Sequence, residues 1–384
     1  MKFFHLSDLH IGLKLMNRDL REDQEYILAQ IVEMARREKP DAVVIAGDIY
    51  DKAVPSAEAV DVFDHFTEAL MEAVPDVAVM MISGNHDSSS RINCFRGILS
   101  RQKLHMVGIP PRMPEERIER VTLADDYGNV NFYLLPFVRP SMIRNITGTD
   151  ENGRALTYDQ ALRCLLEREM IDQEERNVLV SHQFYLPEGK QAEEVQRMDS
   201  EIVTVGNIDQ VSGEVLKCFD YAALGHIHKP MTVGGEQYRY CGTPLACSVS
   251  EAGQQKGIVM VELREKAEAP QITVLPFNPL RRVSVVKGSL AEVLEQACDD
   301  YVTVILTEED GAQGPDLQDR IRAAFPHLLE IRREHVRRPD YSHGTAGAAG
   351  MDPMELCSLF LPGLDEAERE ILQDVVNQVK EANA

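Results

Sequence analysis

The sequence predicts an α/β protein with two sheets, helices on their faces and a small separate α+β domain near the C-terminus. Strand-like and helix-like segments alternate through the first half of the chain, which is typical of a sheet covered by helices. The later strands follow one another without long helices, so we expect a second, more antiparallel sheet. A third set of alternating elements begins after a change of character near residues 278–282.

Apolar spacing locates the elements of the first half. The predicted strands are residues 2–7, 42–46 and 77–82, and the predicted helices between them are residues 23–39 and 56–74. The later predicted strands are residues 130–136, 177–181, 221–224, 238–240, 257–263 and 271–275.

A compact β-α-β-α-β unit is predicted next. Its strands are residues 283–286, 301–307 and 328–332, and its helices are one opened by the capping box Ser289-x-x-Glu292 and one around residues 316–325. Residues 339–351 are rich in Gly and Ala and predict a flexible linker. We therefore divide the chain into a main domain (1–280), a small domain (281–338), the linker and a helical segment (352–384).

Composition sets further bounds. The 384 residues are 44% apolar and 27% charged, which is ordinary for a globular protein. The longest apolar runs, residues 42–46 and 77–82, are far shorter than the ~20 residues of a membrane helix. Because a charged motif begins already at Asp8, we expect no signal peptide. We expect a cytoplasmic protein with no membrane contact.

The net charge of −23 is unusual for a protein that binds phosphates. Such proteins ordinarily present a basic surface, so contact with nucleic acid would need a basic partner subunit or local clusters of positive side chains. For most of the acidic residues, the simpler interpretation is that they keep the protein soluble.

Five polar motifs stand where predicted strands give way to loops. They are Asp8-x-His10, Gly47-Asp48, Gly84-Asn85-His86-Asp87, Ser181-His182 and Gly225-His226-x-His228. Sites form at the carboxyl ends of strands in open α/β sheets, and a spacing of two puts both side chains of a pair on one side of an extended backbone. Taken singly, each motif is also explained by a turn or a structural histidine. Their joint occurrence at strand ends favours one site.

The ligand chemistry of these motifs is oxygen and imidazole without a thiolate. Such a donor set suits Mn, Fe or Zn rather than calcium. Two ions ~3.5–4 Å apart would clamp the attacking and leaving oxygens of an in-line phosphoryl displacement. A carboxylate has two oxygens and can bridge the ions.

The motifs resemble those of the calcineurin-like metallophosphoesterases and, within them, the SbcD-type branch of the Mre-type break-repair nucleases. The narrower resemblance is carried by the stretches GDIYDKAVPS, GNHDSSSR, LPFVRP, VSHQF, ALGHIHKP and YCGTPLACSVSE. It spans nearly the whole chain and is strong through about residue 265. It implies the metallophosphoesterase fold, a two-sheet sandwich flanked by helices, followed by a small capping domain and C-terminal helices.

Carried over residue by residue, the resemblance implies two divalent metal ions, most readily Mn²⁺, and a metal-activated water as the nucleophile. The implied ligands fall into two sets of three with one bridging carboxylate: Asp8, His10 and His228; Asn85, His182 and His226; and the bridging Asp48. His86 would lie outside the cage and protonate the leaving oxygen or stabilise the transition state.

Asp51 is a second catalytic candidate. Archaeal relatives tend to have a histidine at this position, whereas related phosphoprotein phosphatases have an aspartate that orients the histidine of the Asn-His motif. We expect Asp51 to hydrogen-bond His86 and raise its pKa; the alternative is a turn residue. Arg91 and Arg139 are candidates for contact with substrate phosphates, and structural ion pairs explain each of them equally well.

The resemblance also suggests roles for the appendages. Residues 281–338 would form a DNA-facing capping domain, in which Arg281-Arg282 and Arg332-Arg333 are either positive clusters for DNA or a solvated face. The apolar stripe of residues 352–384 would dock on the coiled-coil base of SbcC, an ABC-type ATPase, or fold back on the chain's own core. A homodimer within a heterotetramer is expected by analogy.

The resemblance therefore implies a Mn²⁺-dependent DNA exo- and endonuclease that acts with SbcC at the nucleoid in DNA break and hairpin processing, DNA repair, recombination and replication. One alternative is a metallophosphatase or cyclic-nucleotide phosphodiesterase on the same core, but a small substrate would need neither the extra domain nor the terminal helices. Another is a non-catalytic scaffold, against which the complete ligand set argues.

Overall fold

A computed structural model describes most of the chain. The described residues are 1–187, 189, 198–201, 209–307, 315–334, 365, 368–369 and 371–376. The chain divides into two compact units: Met1–Leu306 with Asp310–Arg332, and Thr307–Glu309 with Arg333–Ala384. The predicted linker at 339–351 and the predicted helix start at 352–364 lie outside the described residues.

The predicted strands of the main domain are present, and their ends differ from the prediction by at most two residues. In chain order the strands are β1 (Lys2–Leu6), β2 (Lys14–Leu15), β3 (Arg18–Asp19), β4 (Ala42–Ile45), β5 (Ala78–Ile82), β6 (Leu104–Val107), β7 (Glu119–Asp125), β8 (Gly128–Leu135), β9 (Arg176–His182), β10 (Phe184–Leu186), β11 (Gln210–Ser212), β12 (Tyr221–Gly225), β13 (Met231–Thr232), β14 (Tyr238–Tyr240), β15 (Gly257–Glu262) and β16 (Gln271–Pro276). The helices are α1 (Arg21–Glu38), α2 (Ala57–Ala73), α3 (Ser89–Ile92), α4 (Arg96–Leu99), α5 (Arg144–Thr147) and α6 (Tyr158–Glu167).

Two six-stranded sheets face each other across an apolar interior. Their strand orders are β16-β15-β1-β4-β5-β6 and β13-β14-β12-β9-β8-β7. The ring of Phe3 meets those of Phe132 and Tyr221 edge to face, with centroids 5.4 and 5.5 Å apart. His5 also joins the sheets, because its Nδ1 lies 2.9 Å from Tyr221 Oη and its Nε2 lies 3.2 Å from Leu224 O. Burial lowers the pKa of His5 to about 3, so it is a neutral core residue.

Helices cover the outer faces of both sheets. Alternation along β1 turns Phe4 and Leu6 toward the cluster that contains the buried faces of α1 and α2. The apolar face of α6, which includes Leu162 and Leu165, packs in the same way on the second sheet. The predicted two-sheet sandwich flanked by helices is confirmed.

The expectation of a more antiparallel second sheet is wrong. Each six-stranded sheet has three parallel and two antiparallel pairings. Strands without helices between them become antiparallel neighbours where a hairpin joins them, as for β7–β8, β13–β14 and β15–β16. The last of these hairpins returns to the first sheet and flanks β1, and it does not extend the second sheet.

The predicted β-α-β-α-β unit is also present. Its elements are β17 (Val283–Gly288), α7 (Leu290–Leu294), β18 (Tyr301–Leu306), α8 (Pro315–Ala324) and β19 (Leu328–Arg333). The strands form one sheet in the order β17-β18-β19, and Ser289 and Glu292 form the expected capping box at α7. A separate apolar cluster that includes Val293, Val302 and Ile321 fills its interior. The domain boundaries at 280 and 338 stay predictions.

Near the C-terminus, residues 368–369 and 371–376 are helical. The helix begins with a reciprocal cap, because Asp365 N donates to Glu368 Oε2 (3.0 Å) and Glu368 N donates to Asp365 Oδ1 (2.9 Å). Across the described parts of the chain, no helix has both the length and the apolar character needed to cross a bilayer.

Candidate metal centre

The candidate site lies at the carboxyl ends of strands from both sheets. In the first sheet Asp8 follows β1, Asp48 follows β4 and Asn85 follows β5. In the second sheet His182 ends β9 and His226 follows β12. His182 Nε2 lies 3.3 Å from Asp48 Oδ2, which shows that the two edges form one site.

Several ligand candidates have left-handed backbone. The angle φ is 53° at Asp8, 43° at His10, 48° at Asp48 and 104° at His226. Residues other than glycine rarely adopt positive φ, and such strain concentrates at functional sites where the surroundings hold it. Here main-chain bonds hold it, because Asp8 N donates to Gly47 O (2.9 Å) and His10 N donates to Asp48 O (3.0 Å).

Asp8, His10 and His228 form one buried half of the site. His10 Nε2 and His228 Nε2 are 3.1 Å apart, and His228 Nε2 is 4.0 Å from Asp8 Oδ1. One ligand atom from each residue lies within 4.8 Å of the other two. The second ring nitrogen of His10, Nδ1, is buried without a hydrogen-bond partner among the described residues.

Asn85, His182 and His226 form the other half, with Asp48 between the two. Asn85 Oδ1 lies 3.1 Å from His182 Nε2 and 2.9 Å from His226 Nδ1. Asp48 Oδ2 lies 3.8 Å from His10 Nε2 as well as close to His182. All seven side chains that the sequence singled out as ligands therefore meet, and Asp48 has the central position that a bridging carboxylate requires.

Burial and mutual charge set the protonation of these groups. Burial raises the pKa of Asp8 and lowers the pKa of His10 to about 3. Although burial opposes it, the imidazole of His182 holds the pKa of Asp48 well below its usual range. The Asp48 carboxylate in turn raises the pKa of His182 to about 9, also against burial. Oxygen and imidazole donors gathered in this way fit a divalent first-row metal ion.

Two motif glycines let the ligand loops pack against each other. A Cβ added at Gly84 would lie 2.1 Å from Asp48 Oδ1. One added at Gly225 would lie 2.0 Å from Ala46 O. Only glycine, which has no Cβ, allows the backbones to approach this closely.

His86 is half-buried and lies beside the cage. Its ring meets that of His10 edge to face with centroids 4.8 Å apart, and one ring nitrogen lies within 4.8 Å of ligand atoms of His10 and Asp48. Its main-chain N–H donates to Asp48 Oδ1 (2.8 Å). The histidine thus faces the predicted metal ligands from one side.

Asp51 contacts His86, but through a different group from the one expected. His86 Nδ1 is 2.9 Å from the main-chain carbonyl oxygen of Asp51. The Asp51 carboxylate instead lies 4.0 Å from His10 Nδ1, and burial raises its pKa. The loop that follows Asp48 brings its backbone, not this side chain, within hydrogen-bond distance of His86. The acceptor for His86 is thus a main-chain oxygen, which the identity of the side chain at position 51 could not predict.

Asp87 has a structural role that the sequence motifs did not reveal. Its carboxylate accepts hydrogen bonds from the main-chain N–H groups of Gly84 (2.9 Å), Ile49 (3.1 Å) and Tyr50 (3.0 Å). Burial raises its pKa to about 6. Asp87 ties the loop after β5 to the loop after β4. Its place in the motif Gly84-Asn85-His86-Asp87 was the available signal, but Ile49 and Tyr50 are distant from it in sequence.

The two arginine candidates differ in position. The guanidinium of Arg139 lies 5.5 Å above the ring of Phe137, and that ring stacks on His226 at 25° with centroids 6.4 Å apart. Arg139 is therefore beside the site, and Phe137 is a neighbour of the ligands that sequence analysis missed within LPFVRP. Arg91 is exposed in α3, and contacts within the described residues give it no similar link to a ligand.

Family comparisons agree with the motifs. A model described as calcineurin-like phosphoesterase matches residues 1–230. Another, described as the type 5 capsule protein repressor C-terminal domain, matches residues 276–361. A Staphylococcus epidermidis protein named as a subunit of the nuclease SbcCD is 29% identical over 338 residues, which are 86% of this chain and 85% of that protein. The resemblance inferred from the motifs is confirmed.

Solved structures of low sequence identity also align with much of the chain. GAP50, the anchor in the inner membrane complex of Plasmodium, is 11% identical with a TM-score of 0.41, and the alignment covers 73% of this chain and 90% of that one. A dimetal phosphatase from Danio rerio is 14% identical with a TM-score of 0.37, covering 72% and 99%. The family assignment rests on the sequence matches alone.

Proposed function

Since the chain belongs to the calcineurin-like phosphoesterase family, we propose that it is a two-metal nuclease that hydrolyses phosphodiester bonds in DNA. The observation that carries this proposal is the meeting of seven oxygen and imidazole donors at one edge of the sandwich, in two sets joined by Asp48. The family implies divalent metal ions, and the donor set fits them.

Each set of ligands would hold one ion, for which we propose Mn²⁺. The sets are Asp8, His10 and His228 for one ion and Asn85, His182 and His226 for the other, with Asp48 shared. When bound, the two ions supply Lewis-acid stabilisation of the phosphate charge and lower the pKa of water.

The chain's own catalytic group in this proposal is His86. Because the main-chain carbonyl of Asp51 accepts from its Nδ1, the other ring nitrogen is left to face a phosphate bound beside the cage. From there it can protonate the leaving oxygen or stabilise the transition state. We propose that Arg139 binds a substrate phosphate, which its position over the Phe137 ring beside the ligands supports.

DNA as the substrate is supported by the name of the Staphylococcus relative, a nuclease, and by the small domain that follows the core. A net charge of −23 means that the chain alone has weak electrostatic attraction for DNA. We propose that a basic partner supplies it and that residues 281–338 cap the bound DNA. Nuclease activity that rises when an SbcC-type ATPase is added, mainly through tighter DNA binding, would support this; no change would refute it.

The partner proposed for the C-terminal helices is the SbcC-type ATPase. The relative is named as a subunit of SbcCD. In the described helical part, Ile371 and Val375 are 65% and 52% exposed, and their i, i+4 spacing puts them on one face. Deletion of the residues after 351 should abolish binding to SbcC in a pull-down while sparing nuclease activity on simple DNA.

We also propose a homodimer. Phe95 and Ile98, which are neighbours at i, i+3 around the start of α4, are 70% and 64% exposed. Large apolar side chains exposed together indicate an interaction surface. Light scattering should report a dimer for the wild type and a monomer for Phe95→Glu. A monomeric wild type would refute the proposal.

The main test is cleavage of linear DNA by the purified full chain with Mn²⁺ or EDTA. His86→Ala should lower the rate on the order of 10²–10⁴-fold, because a positioned proton donor contributes that much. Its Mn²⁺ binding should be unchanged. His65→Gln, an exposed histidine of α2, is the matched control and should cleave normally.

Two results would contradict the proposed activity. Cleavage that survives EDTA would exclude the metal mechanism. Mn²⁺-dependent hydrolysis of small phosphoesters without cleavage of DNA, even with the partner present, would indicate a phosphatase or a cyclic-nucleotide phosphodiesterase.

A further inference from the structure

The motif at residues 240–251 ends in a buried glutamate that the proposed mechanism does not use. Glu251 is 1% exposed. Its carboxylate accepts hydrogen bonds of 2.7–3.2 Å from the hydroxyls of Ser200, Thr243 and Ser248, the main-chain N–H of Cys247 and the ammonium group of Lys256. A buried polar network with its members satisfied in this way is rigid.

This carboxylate faces the far side of His228. Ser200 Oγ is 2.7 Å from His228 Nδ1, and Glu251 Oε1 is 3.6 Å from the same nitrogen. Because Ser200 Oγ donates to Glu251 at 2.9 Å, the hydroxyl accepts from His228 Nδ1–H. That tautomer puts the lone pair of His228 Nε2 on the side of Asp8 and His10.

Lys256 joins the same network from the opposite side. Its Nζ donates to Glu251 Oε2 (2.7 Å) and to the main-chain carbonyl of His228 (2.9 Å). One ammonium group therefore holds both the carboxylate of Glu251 and the backbone of His228. The side chain and the main chain of His228 are anchored together.

The same cluster could be mistaken for a third metal site. Ligand atoms of His228, Cys247 and Glu251 lie within 4.8 Å of one another. Lys256 already neutralises the carboxylate, and burial raises the pKa of the Cys247 thiol well above its usual value, so no thiolate is offered. The cluster is better explained as support for His228 than as a site of its own.

We propose that Glu251, Ser200 and Lys256 are positioning residues that fix the tautomer and orientation of His228 toward the divalent ion of the Asp8–His10 set. The inference rests on the proposed function. An acceptor on the far nitrogen makes a histidine ligand more basic, and its loss typically costs ~10–100-fold in metal affinity. His182, a ligand of the other set, has separate support, because its Nδ1 donates to Ala46 O (2.7 Å). The effect should be confined to one ion.

The test is calorimetric titration of the full chain with Mn²⁺. The wild type should bind two ions. Glu251→Gln should weaken one binding step by ~10–100-fold and leave the other unchanged. Ser200→Ala removes the linking hydroxyl with less disturbance and should weaken the same step. In cleavage assays, both variants should need more Mn²⁺ for half-maximal rate.

A matched control separates positioning from stability. Asp125, the last residue of β7, is a carboxylate paired with the buried Arg176 at the start of β9. Asp125→Asn should lower the unfolding temperature without changing either Mn²⁺ affinity. Unchanged affinities in Glu251→Gln and Ser200→Ala would overturn the inference, and if Glu251→Gln does not fold, Ser200→Ala decides alone. A wild type that binds no Mn²⁺ would instead refute the proposed function.

Discussion

The two sheets hold their halves of the site in different ways. On the first sheet, the loops after β1, β4 and β5 are tied to one another by main-chain N–H groups, as in Asp8 N to Gly47 O and in the bonds that Asp87 accepts. On the second sheet, the histidines are held mainly by side chains: His226 N donates to Asp8 Oδ1 (3.1 Å) and His228 N donates to Glu201 Oε1 (2.9 Å). Their rings are fixed as well, His182 by Ala46 O and His228 by Ser200 and Glu251.

This difference predicts different sensitivities to mutation. A loop held by its backbone depends on the space around that backbone, so glycines and tight contacts matter most on the first sheet. A ring held by hydrogen-bond partners depends on the identity of those partners. Substitutions of these partners, which lie outside the ligand set, should therefore weaken metal binding by the second sheet's histidines in graded steps.

The largest effect is expected where the halves meet. Asp48→Asn removes the charge that faces His182 and His10, and it should lower DNA cleavage on the order of 10³-fold, or about 4 kcal/mol. Mn²⁺ titration should show one ion lost or much weakened. Asp61→Asn, an exposed carboxylate of α2, is the control. Cleavage within a small factor of wild type would mean that the two halves act independently.

The next largest effect is expected when a side chain fills the space around the backbone of a loop on the first sheet. Gly84→Ala places a Cβ 2.1 Å from Asp48 Oδ1 and should destabilise the fold by about 3 kcal/mol, since a packed loop cannot absorb it. Urea unfolding measures the change. Gly97→Ala meets no atom within 4 Å and should stabilise α4 by ~0.5–1 kcal/mol. Equal effects of the two substitutions would show that the loop is not tightly packed.

Metal binding should also affect the two halves of the site differently. Mn²⁺ at a hundredfold excess over its Kd should stabilise the fold by about 2.7 kcal/mol per site. Hydrogen exchange should show a larger gain of protection at residues 226–228 than at residues 8–10. The amides of His226 and His228 donate to side-chain carboxylates, those of Asp8 and Glu201, whereas the amides of Asp8 and His10 already donate to main-chain carbonyls of the neighbouring loop. Equal gains at both places would contradict the distinction between the sheets.

The smallest effect is expected for Asp51→Asn. The substitution keeps the main-chain carbonyl that accepts from His86, so the activation free energy of cleavage should change by less than about 1 kcal/mol. The pH–rate profile should keep its shape. A displaced profile would show that the carboxylate itself acts on His86, as the sequence had suggested.

Much of this could be predicted because strand ends are visible in the sequence. Buried strands show as apolar runs, and the residue after each run is placed by its position alone, which is why the ligand candidates were identified together. The pairing partners of later strands were not visible. β15 lies far from β1 in sequence yet pairs with it, and β16 pairs with β15 at the edge of the sheet, because hydrogen bonding between edges depends on the packed sandwich.

The supporting contacts of the site show the same limit. Glu251 and Ser200 are separated from His228 by more than twenty residues on either side, so no local pattern indicates that they meet. Asp87 lies inside a predicted motif, but its hydrogen bonds go to the loop after β4. Such contacts form only when separate strands are brought to one edge.

The chemistry of the site can be read from the sequence: the oxygen and nitrogen donors, their order along the chain and their positions at strand ends. Apolar periodicity and glycine placement are local properties, so a single sequence shows them. How those donors are held depends on the packed structure, which supplies the backbone acceptor for His86 and the buried Glu251–Lys256 support of His228. The physical reason is that a hydrogen bond depends on distance and direction in space, and burial, which gives such bonds their strength, exists only once both sheets are packed.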